Sequence, residues 1–246
     1  MSRRGKLYVS YKVEFEESVK DYWRVRAGQR RRQEDRGVVD VGGRADVTGG
    51  QQMKSLTRLI AQVFADEGFP EESIRMHSGL DLPGYYRPTK EWDLLVVHNE
   101  NLVAAVELKS IASSFGNNMN NRIEEAVGSA EDVRTAFREQ LLGPTKPWLG
   151  YFFMIADEQK SRNPTRQRTS PAFPVDPLFD EASYQKRSEL FCRRLYLEEL
   201  YDATCYVVSS KEPESQVVQP ALDMTFERFV ASIKGRARFI LSLEDL

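Results

Sequence analysis

Three periodicities divide the chain. Between residues 51 and 67 the apolar positions Met53, Leu56, Ile60, Val63 and Phe64 recur at helical spacing, and the pattern stops at Gly68 and Pro70. Residues 11–33 carry a looser stripe at Val19, Tyr22, Trp23 and Arg26 and predict a helix before it. Residues 122–142 predict another, with Ile123, Val127, Ala130, Val133, Phe137 and Leu141 on one face; 184–201 and 226–235 predict two more. Strand-like apolar runs occupy 92–98 and 102–109, separated by Asn99-Glu100-Asn101, which reads as a hairpin with a short polar loop. "WLGYFFMIA" (148–156) and residues 203–209 read as buried strands. A strand, a helix and a second buried strand in succession make a βαβ unit, so a parallel pair should lie beside the antiparallel hairpin. The predicted class is α/β, a small central mixed sheet flanked by helices. Residues 37–50 (glycine-rich), "LPGYYRP" and the polar, proline-interrupted stretch 157–176 read as loops. A single domain over 1–246 is expected, with 1–45 a helical N-terminal extension, about 51–156 the core and 157–246 a second extension.

One strand breaks its own pattern. "LVAAVELKS" begins as a buried run and then places Glu107 and Lys109 on one face, since strand side chains repeat every second residue. A charge there is costly unless it is paired or bound. If the hairpin turns about Asn99–Asn101, Asp93 lies opposite Glu107, with β-carbons about 5 Å apart. Two carboxylates that close repel unless a proton or cation lies between them, and Lys109 compensates only part of the charge. Hard oxygen donors with open water positions suit Mg²⁺. An isolated Glu-x-Lys is more often an ion-paired strand end; Asp93 in register opposite it is what favours a metal centre.

Composition narrows the function without choosing it. The 246 residues are 41% hydrophobic and 29% charged, with a formal net charge of -2, so bulk electrostatics do not announce a nucleic-acid partner. Local clusters do more: six arginines within 24–36, and Lys160, Arg162, Arg166 and Arg168, could contact a polyanion, although such runs are usually solvated faces. Two cysteines, Cys192 and Cys205, and two histidines, His77 and His98, form neither a disulfide framework nor a zinc spacing, which suits a reducing cytoplasm. "MSRRGKLYVSYKVEFEE" lacks the apolar core of a signal peptide, and no apolar run approaches membrane-spanning length.

"WD" on one strand followed by "VELK" on the next is similar to the PD-(D/E)xK nuclease core. "LPGYYRPTKEWDLLVV" and "VAAVELKSIASSFGNNMNNRIEEAVGSAEDVRTAFRE" resemble, more specifically, the XhoI family of type II restriction endonucleases. The likeness is densest from about 79 to 139 and reaches "VTGGQQM" upstream. Glu91-Trp92 stands where the general nuclease pattern has a proline before the aspartate, a position loosely kept among these enzymes. The resemblance implies a restriction-endonuclease-like fold and double-strand DNA cleavage at the palindrome CTCGAG, after the first C, leaving 5′ overhangs. It also implies a homodimer, Mg²⁺, a partner DNA methyltransferase and a bacterial cytoplasmic setting. Asp93, Glu107 and Lys109 would be catalytic, with Asp93, Glu107 and the Leu108 carbonyl as metal ligands and Glu67 a weaker candidate for a second ion.

Base reading needs side chains with paired donors and acceptors; asparagine suits adenine and arginine suits guanine. "SSFGNNMNNR" offers Asn117, Asn118, Asn120, Asn121 and Arg122 beside the cut, with Ser113 and Ser114 for phosphate oxygens, and Arg162, Arg166 and Arg168 extend the expected DNA surface. The asparagines could equally form turns and cap a helix starting near Arg122. A structure-selective nuclease on the same core and a catalytically silent DNA-binding protein remain alternatives. A kinase is excluded by the lack of a glycine-rich loop and of a His-Arg-Asp triplet, and a Walker A sequence is absent.

Overall fold

The computed structural model describes residues 10–35, 51–166, 170–211 and 216–243. The stretch 37–50 and Arg168 lie outside the described residues. Six strands form one sheet in the order β1 (Ile74–Arg75), β4 (Leu94–His98), β5 (Asn101–Ile111), β6 (Trp148–Ala156), β7 (Ala203–Ser209) and β8 (Val217–Val218). β5, β6 and β7 run parallel, while β1–β4, β4–β5 and β7–β8 are antiparallel. This is the mixed sheet that the pattern predicts. A separate two-stranded hairpin, β2 (Asp81–Pro83) and β3 (Thr89–Glu91), carries the "GYYRP" loop at its tip.

β6 is apolar throughout because both its faces are covered. Tyr151 and Phe153 meet Phe191 of α5 (Tyr184–Leu197) on one side. On the other, Phe152 meets Phe15 of α1 (Lys12–Asp35), and Trp148 meets Phe229 of α6 (Phe226–Ser242). α1 shares this core rather than lying apart from it: Phe15 stacks on Phe226 at 4.3 Å, and Trp23 Nε1 donates to Ser209 Oγ at 2.8 Å. α2 (Lys54–Glu67) packs beside α1 and α6 and ends at Gly68, whose φ of 118° suits only glycine. α4 (Gln159–Arg162) supplies a turn within the stretch expected to be all loop, held by a reciprocal Glu158–Ser161 cap.

α3 (Phe115–Arg138) crosses from β5 to β6 and begins seven residues before the expected start near Arg122. Glycine and asparagines are weak helix formers. Phe115 and Met119, one turn apart, are both buried, with Phe115 stacked on Tyr184 at 5.8 Å, and this packing outweighs propensity. The buried stripe therefore runs through Met119, Ala126, Ala130 and Val133, and leaves the expected core positions Ile123, Val127 and Leu141 exposed. α6 continues past the expected end at Gly235 because Ala237 and Ile240 extend its buried face. Among the described residues no helix is long and apolar enough to cross a membrane.

Candidate active site

The β4–β5 hairpin decides which side chains meet. Its turn has two residues, Asn99 and Glu100, both in the left-handed region with φ of 48° and 61°, rather than the expected three. His98 pairs with Asn101 and Val97 with Leu102; Val103 then has no partner, and from Val96↔Ala104 the ladder continues to Leu94↔Val106. This bulge restores the register expected at the far end, so Asp93, one residue before β4, comes beside Glu107. Asp93 Oδ2 accepts the Leu108 N–H at 2.7 Å. In a strand the N–H and C=O of one residue lie on the same edge, so the Leu108 carbonyl also faces this side, beyond the last paired residue of β4.

Glu107 is buried and carries two ammoniums. Lys109, two positions along the same strand, pairs with its Oε1, and Lys90 Nζ sits 2.6 Å from its Oε2. Burial pushes the Glu107 carboxyl up, but Lys109 and Lys90 outweigh it and hold it below its ordinary range. Asp93 goes the other way. Desolvation, with Glu107 alongside, pushes it from 3.8 to about 6, although Lys109, the Leu108 amide and Lys90 act against the rise. Burial draws the Lys109 ammonium down, and Glu107 and Asp93 more than reverse that. The two carboxylates are therefore tuned apart, as they often are where chemistry occurs.

Lys90 escapes a reading of strand pattern, because β3 is three residues long and exposed on either side of Lys90. A charge count could have found it: two facing carboxylates with one lysine call for a second cation, and Lys90 lies three residues before Asp93. Its ammonium also stands 4.3 Å from the centre of the Trp92 ring. The hairpin that presents it is braced from α3 by buried Asp132, which accepts the Tyr85 and Tyr86 amides at 2.7 and 2.9 Å and pairs with Arg87 Nε at 2.6 Å. Tyr85 and Tyr86 remain exposed at the tip.

The other expected residues divide. Ser113 receives Arg26 Nη2 of α1 at 3.4 Å, and Ser114 holds the left-handed residue before α3, with φ of 48°. Asn117, Asn120 and Asn121 are exposed on the first turns of α3, whereas Asn118 Nδ2 is spent locally on the Ser113 carbonyl at 2.8 Å. Arg122 pairs with Glu125 at 2.5 Å and lies near enough to Lys109 to act on it electrostatically. Arg162 is tied to Asp157 by two bonds of 2.5 and 2.7 Å, and Arg166 is exposed.

Glu67 falls at the other end of the sheet. It is buried at the foot of α2, where Arg238 Nε donates to it at 2.9 Å and Lys234 lies 3.8 Å away. Arg236, on the same helix as those two, donates to the Val103 carbonyl at the start of β5. The opposite end of α2 is the one near the site: Gln52, just before it, meets Arg26, which reaches Ser113 just past β5. A 14-residue helix spans about 21 Å, so Glu67 does not join Asp93 and Glu107.

The family model "Restriction endonuclease XhoI" matches residues 32–219. Type II restriction enzyme BstVI of Geobacillus stearothermophilus is 41% identical over 203 residues, covering 79% of this chain and 90% of the relative. Type II restriction enzyme XhoI of Xanthomonas vasicola is 44% identical over 184 residues, 73% of each chain. Type II restriction enzyme AbrI of Azospirillum brasilense is 40% identical over 166 residues, 66% of this chain and 74% of the relative. No solved structure matches. With a mixed α/β sheet of the restriction-endonuclease kind and family similarity along most of its length, the chain belongs to the XhoI restriction endonuclease family and is a type II site-specific deoxyribonuclease.

Proposed function

We propose that the chain cleaves both strands of DNA at CTCGAG in a Mg²⁺-dependent reaction, after the first C, leaving 5′ overhangs that carry 5′-phosphates. The observation that carries this reading is the meeting of Asp93, Glu107 and Lys109 at the end of one hairpin, in a chain of this family. The donor set suits the ion. One buried and one half-buried carboxylate and a strand-end carbonyl leave room for water and phosphate oxygens, the coordination Mg²⁺ prefers, and no group of three or more His, Cys, Asp or Glu side chains gathers among the described residues. Asp93, Glu107 and the Leu108 carbonyl would hold it. Mg²⁺, when bound, supplies polarisation of the scissile phosphate and a more acidic water.

The residues do the rest. Lys109, held by Glu107, orients the attacking water toward phosphorus and offsets charge growing on the phosphoryl oxygens. Arg122, whose charge acts on Lys109, is a candidate for a neighbouring phosphate. Exposed Asn117, Asn120 and Asn121 are candidates for base edges, while Asn118, already engaged with Ser113, is the weaker one. Ser113, Ser114, Arg162, Arg166 and Arg168 are candidates for the backbone. A palindrome cut symmetrically calls for two copies about a two-fold axis, and host DNA carrying the same site calls for a protecting methyltransferase.

Digestion of a plasmid with mapped CTCGAG sites, in Mg²⁺ and in EDTA, tests the reading. Discrete fragments with ligatable 5′ overhangs at those sites, only with metal, are expected. Nicking at junctions, a smear or no cutting would overturn it.

A further inference from the structure

Lys109 and Lys90 both neutralise Glu107, but they are attached differently. Lys109 shares the strand and the face with Glu107, so its ammonium cannot go far. Lys90 arrives from β3, which pairs only with β2 and stands outside the main sheet. The backbone of that hairpin is fixed by Asp132, so any movement of Lys90 is a movement of its flexible four-carbon stem alone. Its charge sits on Oε2, the oxygen of Glu107 that Lys109 leaves open.

A divalent cation drawn to Glu107 and Asp93 would meet that ammonium at close range, and two cations a few ångströms apart repel strongly in a poorly solvated site. We propose that Lys90 is a displaceable counter-ion: its ammonium occupies the open oxygen of Glu107 until a divalent cation takes its place, and a DNA phosphate supplies its next partner. The free enzyme then binds metal weakly, and DNA strengthens that binding by drawing Lys90 away. Linkage makes the effect reciprocal, so metal strengthens DNA binding by the same factor. The ammonium that bonds Glu107 also lies over the Trp92 ring and donates to the Glu91 carbonyl at 2.8 Å, so the ring reports its departure.

The inference rests on the nuclease reading of the site, and one set of titrations separates the two. Ca²⁺ binding is measured calorimetrically on the full chain, with and without a CTCGAG duplex, for the native protein, Lys90→Met and Glu107→Gln. Methionine keeps the stem and removes the charge. Lys90→Met should bind Ca²⁺ about tenfold more tightly than the native protein without DNA, and the gain on adding duplex should shrink by a similar factor. If Glu107→Gln leaves Ca²⁺ binding intact, the metal-site reading itself fails. If Glu107→Gln abolishes binding while Lys90→Met binds equally or more weakly, Lys90 is a fixed structural partner and the inference is overturned. A readout on the native protein holds even if Lys90→Met does not fold. Ca²⁺ should change tryptophan emission as the ammonium leaves the Trp92 ring, and Trp92→Phe should remove that change; no such signal would equally overturn the exchange.

Discussion

Two buried glutamates among the described residues each hold two cations, and only Glu107 lies at the proposed reaction centre. Glu67 meets Arg238 and Lys234 between two helices, and the Arg238 side chain is largely in water. Glu107 meets Lys109 and Lys90, both mostly buried, and has a second carboxylate beside it. Around Glu67 the charges close into a tie between α2 and α6. Around Glu107 they leave Asp93 with a proton affinity far from ordinary. What marks a site is therefore not a buried acid with satisfied charge but an excess acid that the neighbouring cations fail to settle.

The contrast breaks most visibly in turnover. Lys109→Ala and Glu107→Ala should each lower cleavage by about 10²–10³-fold or more. Lys109→Ala should still bind the cognate duplex in Ca²⁺. Filter binding and single-turnover cutting assays decide; near-normal cleavage by Lys109→Ala would remove the distinction.

Next in size is the dependence of stability on pH. Asp93 has a folded pKa of about 6 against an ordinary 3.8, so the folded state is the better proton binder. Its favourable contribution is complete below about pH 4 and is lost as pH rises through 6, amounting to about 3 kcal/mol above that. In metal-free buffer Asp93→Asn should consequently melt higher than the native protein at pH 7.5 and equal to it near pH 4. Mg²⁺ should narrow the gap by stabilising the native protein alone. An unchanged difference across that range would show that Asp93 is not strained.

The smallest effect sharpens the other half of the comparison. Glu67→Gln should cost about 1–2 kcal/mol of stability, because Arg238 can turn to solvent when its partner weakens. The cutting rate should not change. Loss of activity at a temperature where the variant is still folded, by circular dichroism, would make Glu67 more than a tie.

Much of this was legible in the chain because it depends on local periodicity. β6 and β7 fall where apolar runs place them, and Glu107 and Lys109 share a face because strands repeat in twos. What escaped depends on packing over distance. β1 and β8 have two residues each, too few for any period. The start of α3 was hidden by asparagines whose poor propensity yields to Phe115 and Met119. Glu67 looked eligible because the direction of α2 relative to β5 cannot be read from the helix itself, and Lys90 was invisible because its strand pairs with β2 rather than with the strand it serves.

The bulge at Val103 has a bearing on how this hairpin can change. A two-residue turn alone would carry its odd parity to the end of the ladder and set Asp93 against Val106, a valine buried in the core. The unpaired residue flips that parity once. With the two-residue turn kept, a single insertion or deletion between Asp93 and Glu107 must be matched by the gain or loss of a bulge, as deletion of Val103 itself would be, whereas one residue added to each strand keeps the register. The hairpin works as a counter with two readings, and only one of them brings the two acids together.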